Sequence, residues 1–409
     1  MRLLSRPLPL ALLIGALAQI VFMAGVTTPR ILVFDEIHYV PAARILTELR
    51  GPWNIEHPLL GKTLIALGMT LFGDNPLGWR ALSTVAGTAT VLGLFAAAWH
   101  LFRRPRTAAL AAIFAGLNMT LFVQARIAML DGFMGALVVG ALAAMLWSMR
   151  SEGPSVWRRW LLGSVLLGLA AGVKWVAIPY VALAGAGFLL ARAPHRWPGL
   201  RPVPALLTLG LASGTAYLLT FLPAFFYADQ PLTLAKLLPF QWEMYRQQTQ
   251  VLPRHSYQSD WWSWPLMLRP IWYLYEPVDG VQRGILLLGN PALMWGGLVA
   301  VALCAWAWAR ERSAALGGVA ALWLAGWGMW ALIPKSLGFF YYYYLPSLWL
   351  PLALAAAFHR FGQGENRYWD EAAVALAGGL FLYFYPILAA EPLAGAGAFQ
   401  RWMWFSSWI

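Results

Sequence analysis

The sequence predicts an all-α polytopic membrane protein of about eleven transmembrane helices, and three observations carry that expectation. Hydrophobic residues fill 60% of the 409 positions and charged residues only 11%. The apolar runs are continuous and rich in Leu, Ala and Gly, whereas a membrane β-barrel would show short alternating segments. The net charge of +12 lies mainly between alternate runs. That is the positive-inside pattern of a threaded chain, and it implies no nucleic-acid partner.

The first run, 8–26, is longer than a signal-peptide core and is followed by TTPR rather than a small-x-small cleavage site, so it reads as a retained span. A long segment, 27–77, comes next. It holds LVFDEIHYVPAARIL and then LLGKTLIALGMTLFG (59–73), an apolar stretch suited to a helix lying along the membrane surface. Spans at 78–101, 107–123, 132–149, 160–173, 176–191 and 205–226 follow. Placing MRLLSR inside the cell puts Arg2, Arg6, Arg103, Arg104, Arg106, Arg150, Arg158, Arg159, Arg192, Arg196 and Arg201 on one side. A second long segment, 227–285, contains SYQSDWWSWPLMLRPIWYLYEP, too aromatic for a loose linker and too short for a further domain. The last spans are 286–308, 314–333, 342–358 and 372–389, with Arg310, Arg312, Arg360 and Arg367 again inside. The whole chain, 1–409, reads as one transmembrane domain with two long outer loops. The single cysteine, Cys304, lies within a span and allows no intramolecular disulfide.

This topology brings Asp35, Glu36, His57, Lys62, Arg126, Asp131, Lys174 and Lys335 to the outer face, although arginines on the opposite side set it. Charge gathered at one depth beside apolar spans points to a single polar site. Asp35 and Glu36 are flanked by Leu32, Val33, Phe34 and Ile37, so they are partly buried carboxylates suited to general-base work; the plainer reading is an exposed acid pair. Arg126 in QARIAMLDG offers a planar fork for phosphate, or it snorkels to the interface. Asp131 opens a span and suits a helix N-cap. Lys174 in GVKWVAIP and Lys335 in PKSLGFFYYYYLP are further phosphate cations or snorkelling side chains. The four tyrosines after Lys335 read first as an interfacial aromatic belt. His57 is placed to orient a carboxylate, and Lys62 to meet lipid headgroups. His38 stays a loop residue.

Cations facing a carboxylate are the layout for moving a group from a phosphate leaving group to a hydroxyl. No HExxH, cysteine pair, EF-hand loop, Walker loop or GxGxxG occurs. No cofactor is implied, and no ligand motif supports a divalent metal.

FDEIHYVPAARIL (34–46), EHPLLGK (56–62), ARIAMLD (125–131), GVKW (172–175), SYQSDWWSWPL with RPIWY (256–273), LLLGNP (286–291) and FFYYYYLP (339–346) run in one order along the chain. Together they resemble bacterial members of the protein O-mannosyltransferase family, C-type (GT-C) glycosyltransferases that use lipid-phosphate sugars. The resemblance implies the GT-C fold with its site on the outer side. It makes Asp35 the catalytic acidic residue, Glu36 its partner in acceptor binding, and Arg126 the contact to the lipid phosphate, with Lys174 and Lys335 nearby. It implies inverting transfer of mannose from polyprenyl phosphate mannose to Ser or Thr of proteins met during or after export. The enzyme would sit multi-pass in the inner (plasma) membrane, with a cytoplasmic N-terminus and a periplasmic or extracellular site. The family usually has HPPLGK, whereas position 59 here is Leu. Residues 227–285 leave no room for the β-trefoil domain of eukaryotic members. The alternative is transfer of another sugar, such as aminoarabinose, to lipid A. A transporter would carry its charges at mid-membrane depth, which this chain does not.

Overall fold

The computed structural model describes residues 6–192, 197, 199–333 and 335–409. Arg2 and Arg196, both used to assign topology, lie outside the described residues, as does the side chain of Arg192. The elements are α1 (Pro7–Met23), α2 (Glu36–Thr47), α3 (Leu60–Phe72), α4 (Pro76–Phe102), α5 (Pro105–Gly116), α6 (Met119–Gln124), α7 (Leu130–Met149), α8 (Ser155–Val173), α9 (Ile178–Arg192), α10 (Pro202–Leu219) and α11 (Leu234–Gln248). A hairpin of β1 (Ile271–Val278) and β2 (Val281–Leu287) follows, then α12 (Pro291–Glu311), α13 (Ala314–Gly328), α14 (Tyr344–Ser347), α15 (Trp349–Phe361) and α16 (Trp369–Leu388).

Each predicted span overlaps helix for most of its length. Among the described residues, seven segments are long and apolar enough to cross a membrane: Pro76–Phe102, Leu130–Met149, Ser155–Val173, Pro202–Phe226, Pro291–Glu311, Ala314–Ala331 and Gly364–Leu388. The other four predicted spans are shorter or broken. The run at 107–123 is split because the Asn118 side chain accepts the Thr120 N–H at 3.1 Å and starts α6 afresh. α1 has 17 residues and α15 has 13, and α9 is preceded by a 3-10 turn at Trp175–Ala177. The expected surface helix is α3, 13 residues long and too short to cross.

The starts of these helices are written locally. Proline stands at the beginning of α1, α4, α5, α10 and α12, where its missing N–H costs nothing. Asn75 accepts the Leu77 N–H at 2.9 Å and so caps α4. Small residues let the helices approach closely: a Cβ on Gly168 of α8 would come within 2.2 Å of the Ser213 carbonyl of α10. Facing outward, α1 exposes Leu8, Leu12 and Ile20, and α10 exposes Val203, Leu207 and Leu211, an apolar surface that water would penalise and lipid accepts.

The hairpin corrects the expectation of a purely helical chain and of a span beginning at 286. β1 and β2 pair antiparallel, with Val278 opposite Val281. Asp279 and Gly280 form the turn between them, both at positive φ (53° and 78°), as an Asp-Gly hairpin turn requires. LLLGNP is therefore the end of a strand and its exit, and α12 starts only at Pro291.

α4 is 27 residues long, about 40 Å, and separates two different ends. At one end arginines tie loops together: Arg106 binds Asp370 and Glu371 at 2.8 Å each, and Arg360 binds Glu311 at 2.6 Å. The other end carries α2, α3, α11, the hairpin and Asp35. There a small second core of Leu46, Leu59, Phe221, Ala224, Tyr227, Leu232 and Met244 joins the first long loop to the start of α11.

Candidate active site

Asp35 occupies the turn that leads into α2. Phe34, just before it, has φ +50°, a left-handed backbone that an aromatic residue adopts only when its surroundings hold it there. Those surroundings are aromatic. The Phe34 ring stacks on Tyr273 of β1 at 4.1 Å and meets Tyr341 edge-on at 5.8 Å. One turn into α2, the Tyr39 hydroxyl donates to Asp35 Oδ2 at 3.3 Å. Burial pushes the Asp35 carboxyl above its ordinary range, the attraction of Lys174 opposes that, and the charge of Asp131 adds to the rise.

Lys174 follows the last turn of α8. Its Nζ donates to both oxygens of Asp131, at 3.0 and 2.9 Å, with both side chains buried. Asp131 was expected to cap α7, but the helix already begins at Leu130, and the carboxylate turns to Lys174 instead. Tyr341 and Tyr342 lie over the same ammonium, 5.3 and 5.7 Å from ring centre to Nζ. The four tyrosines are thus no interfacial belt. The 3-10 turn Phe340–Tyr343 aims Tyr341 and Tyr342 at the site, and Tyr343 and Tyr344 are buried. Lys335 reaches the rim: it is exposed, donates to the Gln248 carbonyl at 3.1 Å and stands 6.0 Å from the Tyr342 ring.

Glu36 has a different place from the acceptor-binding one expected of it. It is fully buried, and four donors use both its oxygens. Arg80 Nε and the Ala128 N–H bind Oε1 at 2.8 and 2.7 Å; Arg80 Nη2 and the Val33 N–H bind Oε2 at 2.8 Å each. That exhausts a carboxylate. Arg80, at the start of α4, spends its remaining bonds on the carbonyls of Val26 (3.2 Å), Pro29 (2.7 Å) and Ile31 (2.8 Å). Sequence reading passed over Arg80, though an arginine a few residues into an apolar span is itself a signal.

Arg126 follows α6 and is buried, with its guanidinium over Phe122 at 4.9 Å. Nη1 donates to carbonyls at the end of α1, including Phe22 at 3.1 Å and Ala24. Its Nε and Nη2 make no hydrogen bond among the described residues. Glu36 links the Asp35 turn to this loop, since it accepts the Ala128 N–H two residues beyond Arg126. The charge of Lys174 acts on Asp35 and holds its carboxyl down against burial. Lys174, with its tyrosines, and Arg126 are thus held by different partners, and Glu36 ties the Asp35 turn to the Arg126 loop.

Lys62 leaves the lipid-headgroup role expected of it. It is buried, and its three donors are taken by the carbonyls of Asn54 (2.6 Å), His57 (2.8 Å) and Trp53 (3.4 Å). Burial pushes its ammonium down to about 7. It holds the 53–57 loop. His57 packs edge-on against Tyr39 at 5.8 Å, and its buried Nδ1 has no partner among the described residues. Among the described residues no three His, Cys, Asp or Glu side chains converge as metal ligands.

The family model described as dolichyl-phosphate-mannose-protein mannosyltransferase matches residues 56–234. The one described as the C-terminal four-transmembrane region of protein-O-mannosyltransferase matches 233–408. The polyprenol-phosphate-mannose–protein mannosyltransferase of Mycobacterium tuberculosis is 26% identical, over 97% of this chain and 90% of its own. That of Mycolicibacterium smegmatis is 28% identical, over 92% and 87%. An aminoarabinose transferase of Pseudomonas aeruginosa is 29% identical, over 78% of this chain but 54% of its own. Among solved structures, the Saccharomyces cerevisiae Pmt1-Pmt2 complex bound to the sugar donor superposes with a TM-score of 0.79 at 13% identity, covering 98% of this chain and 92% of that one. ArnT of Cupriavidus metallidurans bound to undecaprenyl phosphate gives 0.60 at 16%, covering 92% and 76%. The two family models meet at 233–234 and together run from 56 to 408, so the chain belongs to the protein O-mannosyltransferase family, with the fold of the GT-C membrane glycosyltransferases.

Proposed function

We propose that the protein transfers mannose from polyprenyl phosphate mannose to Ser and Thr hydroxyls of proteins, with inversion at the sugar C1. One observation carries the assignment of the base. Of the three neighbouring carboxylates, Glu36 is taken by Arg80 and Asp131 by Lys174, while Asp35 forms no ion pair among the described residues. A desolvated carboxylate with one long hydrogen bond from Tyr39 is free to accept a proton. Asp35 takes the hydroxyl proton as the oxygen attacks C1 from the face opposite the phosphate. The C1–O bond to phosphate breaks, and its electron pair leaves on the lipid phosphate. Arg126, with two donating nitrogens unused, binds that phosphate, and Lys174 or Lys335 adds positive potential. Glu36 acts through position alone. The arginine-rich end of the bundle sits in the cytoplasm, which puts Asp35 on the periplasmic or extracellular side, where exported proteins arrive.

The test offers purified protein labelled polyprenyl phosphate mannose and polyprenyl phosphate aminoarabinose, each with a Thr-bearing polypeptide and with lipid A. Mannose on the polypeptide is the expected product. Label only in lipid A would sink the protein-acceptor reading in favour of the aminoarabinose-type alternative, which the shorter match to the Pseudomonas relative supports less well. Arg126→Ala is expected to weaken binding of a short polyprenyl phosphate by about 10-fold or more, the usual loss for a charge-assisted contact. Unchanged affinity by calorimetry would remove Arg126 from that role.

A further inference from the structure

Beside the Asp35 end lies a cavity of about 250 Å³ that the reaction described above does not use. Trp53 and His57 of the first long loop form one wall, and Tyr227, Pro231, Pro239 and Phe240, around the start of α11, form the other. Its mouth is open, since Trp53, Pro231 and Pro239 are exposed. All six residues lie outside the segments long and apolar enough to cross a membrane, and Ala224, which also lines the cavity, lies near the end of one of them.

We propose that this cavity receives an apolar side chain of the acceptor polypeptide, within three or four residues of the hydroxyl that is modified. The inference rests on the protein-acceptor reading and deepens it. Three observations favour a polypeptide. The cavity is smaller than the roughly 300–1,000 Å³ of a small-molecule site, and so suits one or two side chains. Its aromatic and proline walls match the surfaces that dock extended chains, and Gln230, Lys236 and Glu243 in the same lining add polar groups that a peptide backbone can meet. On the wall, His57 has a buried Nδ1 without a partner among the described residues, which a turn of the ring would bring to a backbone amide.

The spacing follows from the contacts between the cavity and the base. The His57 ring is 5.8 Å from the Tyr39 ring, whose hydroxyl is 3.3 Å from Asp35. That path sets an upper limit of about 12 Å on the separation, which an extended chain covers in at most three or four residues. The 53–57 loop is held rigid by Lys62, so the wall keeps its distance from the base.

The experiment uses the full-length enzyme with polyprenyl phosphate mannose and peptides that carry one Thr in a Gly/Gln background. A single Leu is moved through each position on either side of the Thr. The expected result is a KM about 10-fold lower when Leu stands at a position within three or four residues on one side, with kcat little changed; burial of one Leu side chain supports that factor. Trp53→Ala opens the wall, and Ala224→Leu fills the cavity that Ala224 lines. Each should erase the preference while leaving the KM for the donor lipid as in wild type, which also reports an intact fold. A preference that survives both substitutions, or no preference in wild type, overturns the assignment while the protein-acceptor reading stands. A changed donor KM with peptide preference intact assigns the cavity to the lipid and overturns it equally. Transfer to no peptide at all overturns the protein-acceptor reading, and this assignment with it.

Discussion

Asp35→Asn is expected to lower kcat by about 10²–10⁴-fold, or about 3–5 kcal/mol of barrier, because the amide keeps the shape of the carboxyl but accepts no proton. Affinity for a short polyprenyl phosphate should stay near wild type, since the donor contacts proposed for Arg126 and Lys174 are untouched. Asp35 also predicts a pH signature. The base works only when ionised, and burial raises its pKa, so kcat/KM falls as pH drops through a value above the ordinary carboxylate range. The residual activity of Asp35→Asn should lack that acidic limb. Single-turnover transfer to a Thr peptide across a pH series measures both. An Asn variant turning over at the wild-type rate, or an unaltered limb, would take the role of base away from Asp35.

Arg80→Ala is expected to cost about 3–5 kcal/mol of stability, because it leaves the Glu36 carboxylate charged and unpaired in a dry interior. Thermal unfolding in detergent should show this as a large fall in Tm. Replacing both partners with apolar residues, as in Glu36→Leu with Arg80→Met, removes the stranded charge and should restore most of the stability. Activity should not return with it. The Ala128 N–H then has no acceptor, and the Asp35 turn is no longer tied to the Arg126 loop. Full activity in the stable double variant would show that Glu36 positions nothing.

Much of the architecture was open to reading in the sequence because membrane insertion acts on long, simple features. Apolar runs and the sidedness of arginines place helices without any knowledge of how they touch. Asp35 was legible for the same reason: charge beside an apolar run is costly, so its presence asks for a cause. Pairing was not legible. Glu36 meets Arg80 across 44 positions, and Asp131 meets Lys174 across 43, and nothing local announces either choice. Glu36 therefore read as a second site acid and Asp131 as a helix cap. The hairpin was missed for another reason. Its Asp-Gly turn is a clear signal, but the end of the strand after it, GILL, is as apolar as the helix that follows, and composition alone does not divide them. The tyrosines after Lys335 were misplaced because a 3-10 turn, which has no signature in hydropathy, directs two of them to the ammonium of Lys174.

The saturation of Glu36 and Arg80 also limits how such a chain can vary over time. Neither residue can be exchanged in one step without leaving an ion in a place that cannot hydrate it, and a neutral pair requires two changes at once. The exposed outer segment around α11 carries no comparable penalty, and Leu234, Leu238 and Trp242 already stand there in contact with little else. Drift is thus channelled to the rim, while the geometry around the Asp35 turn is inherited unaltered.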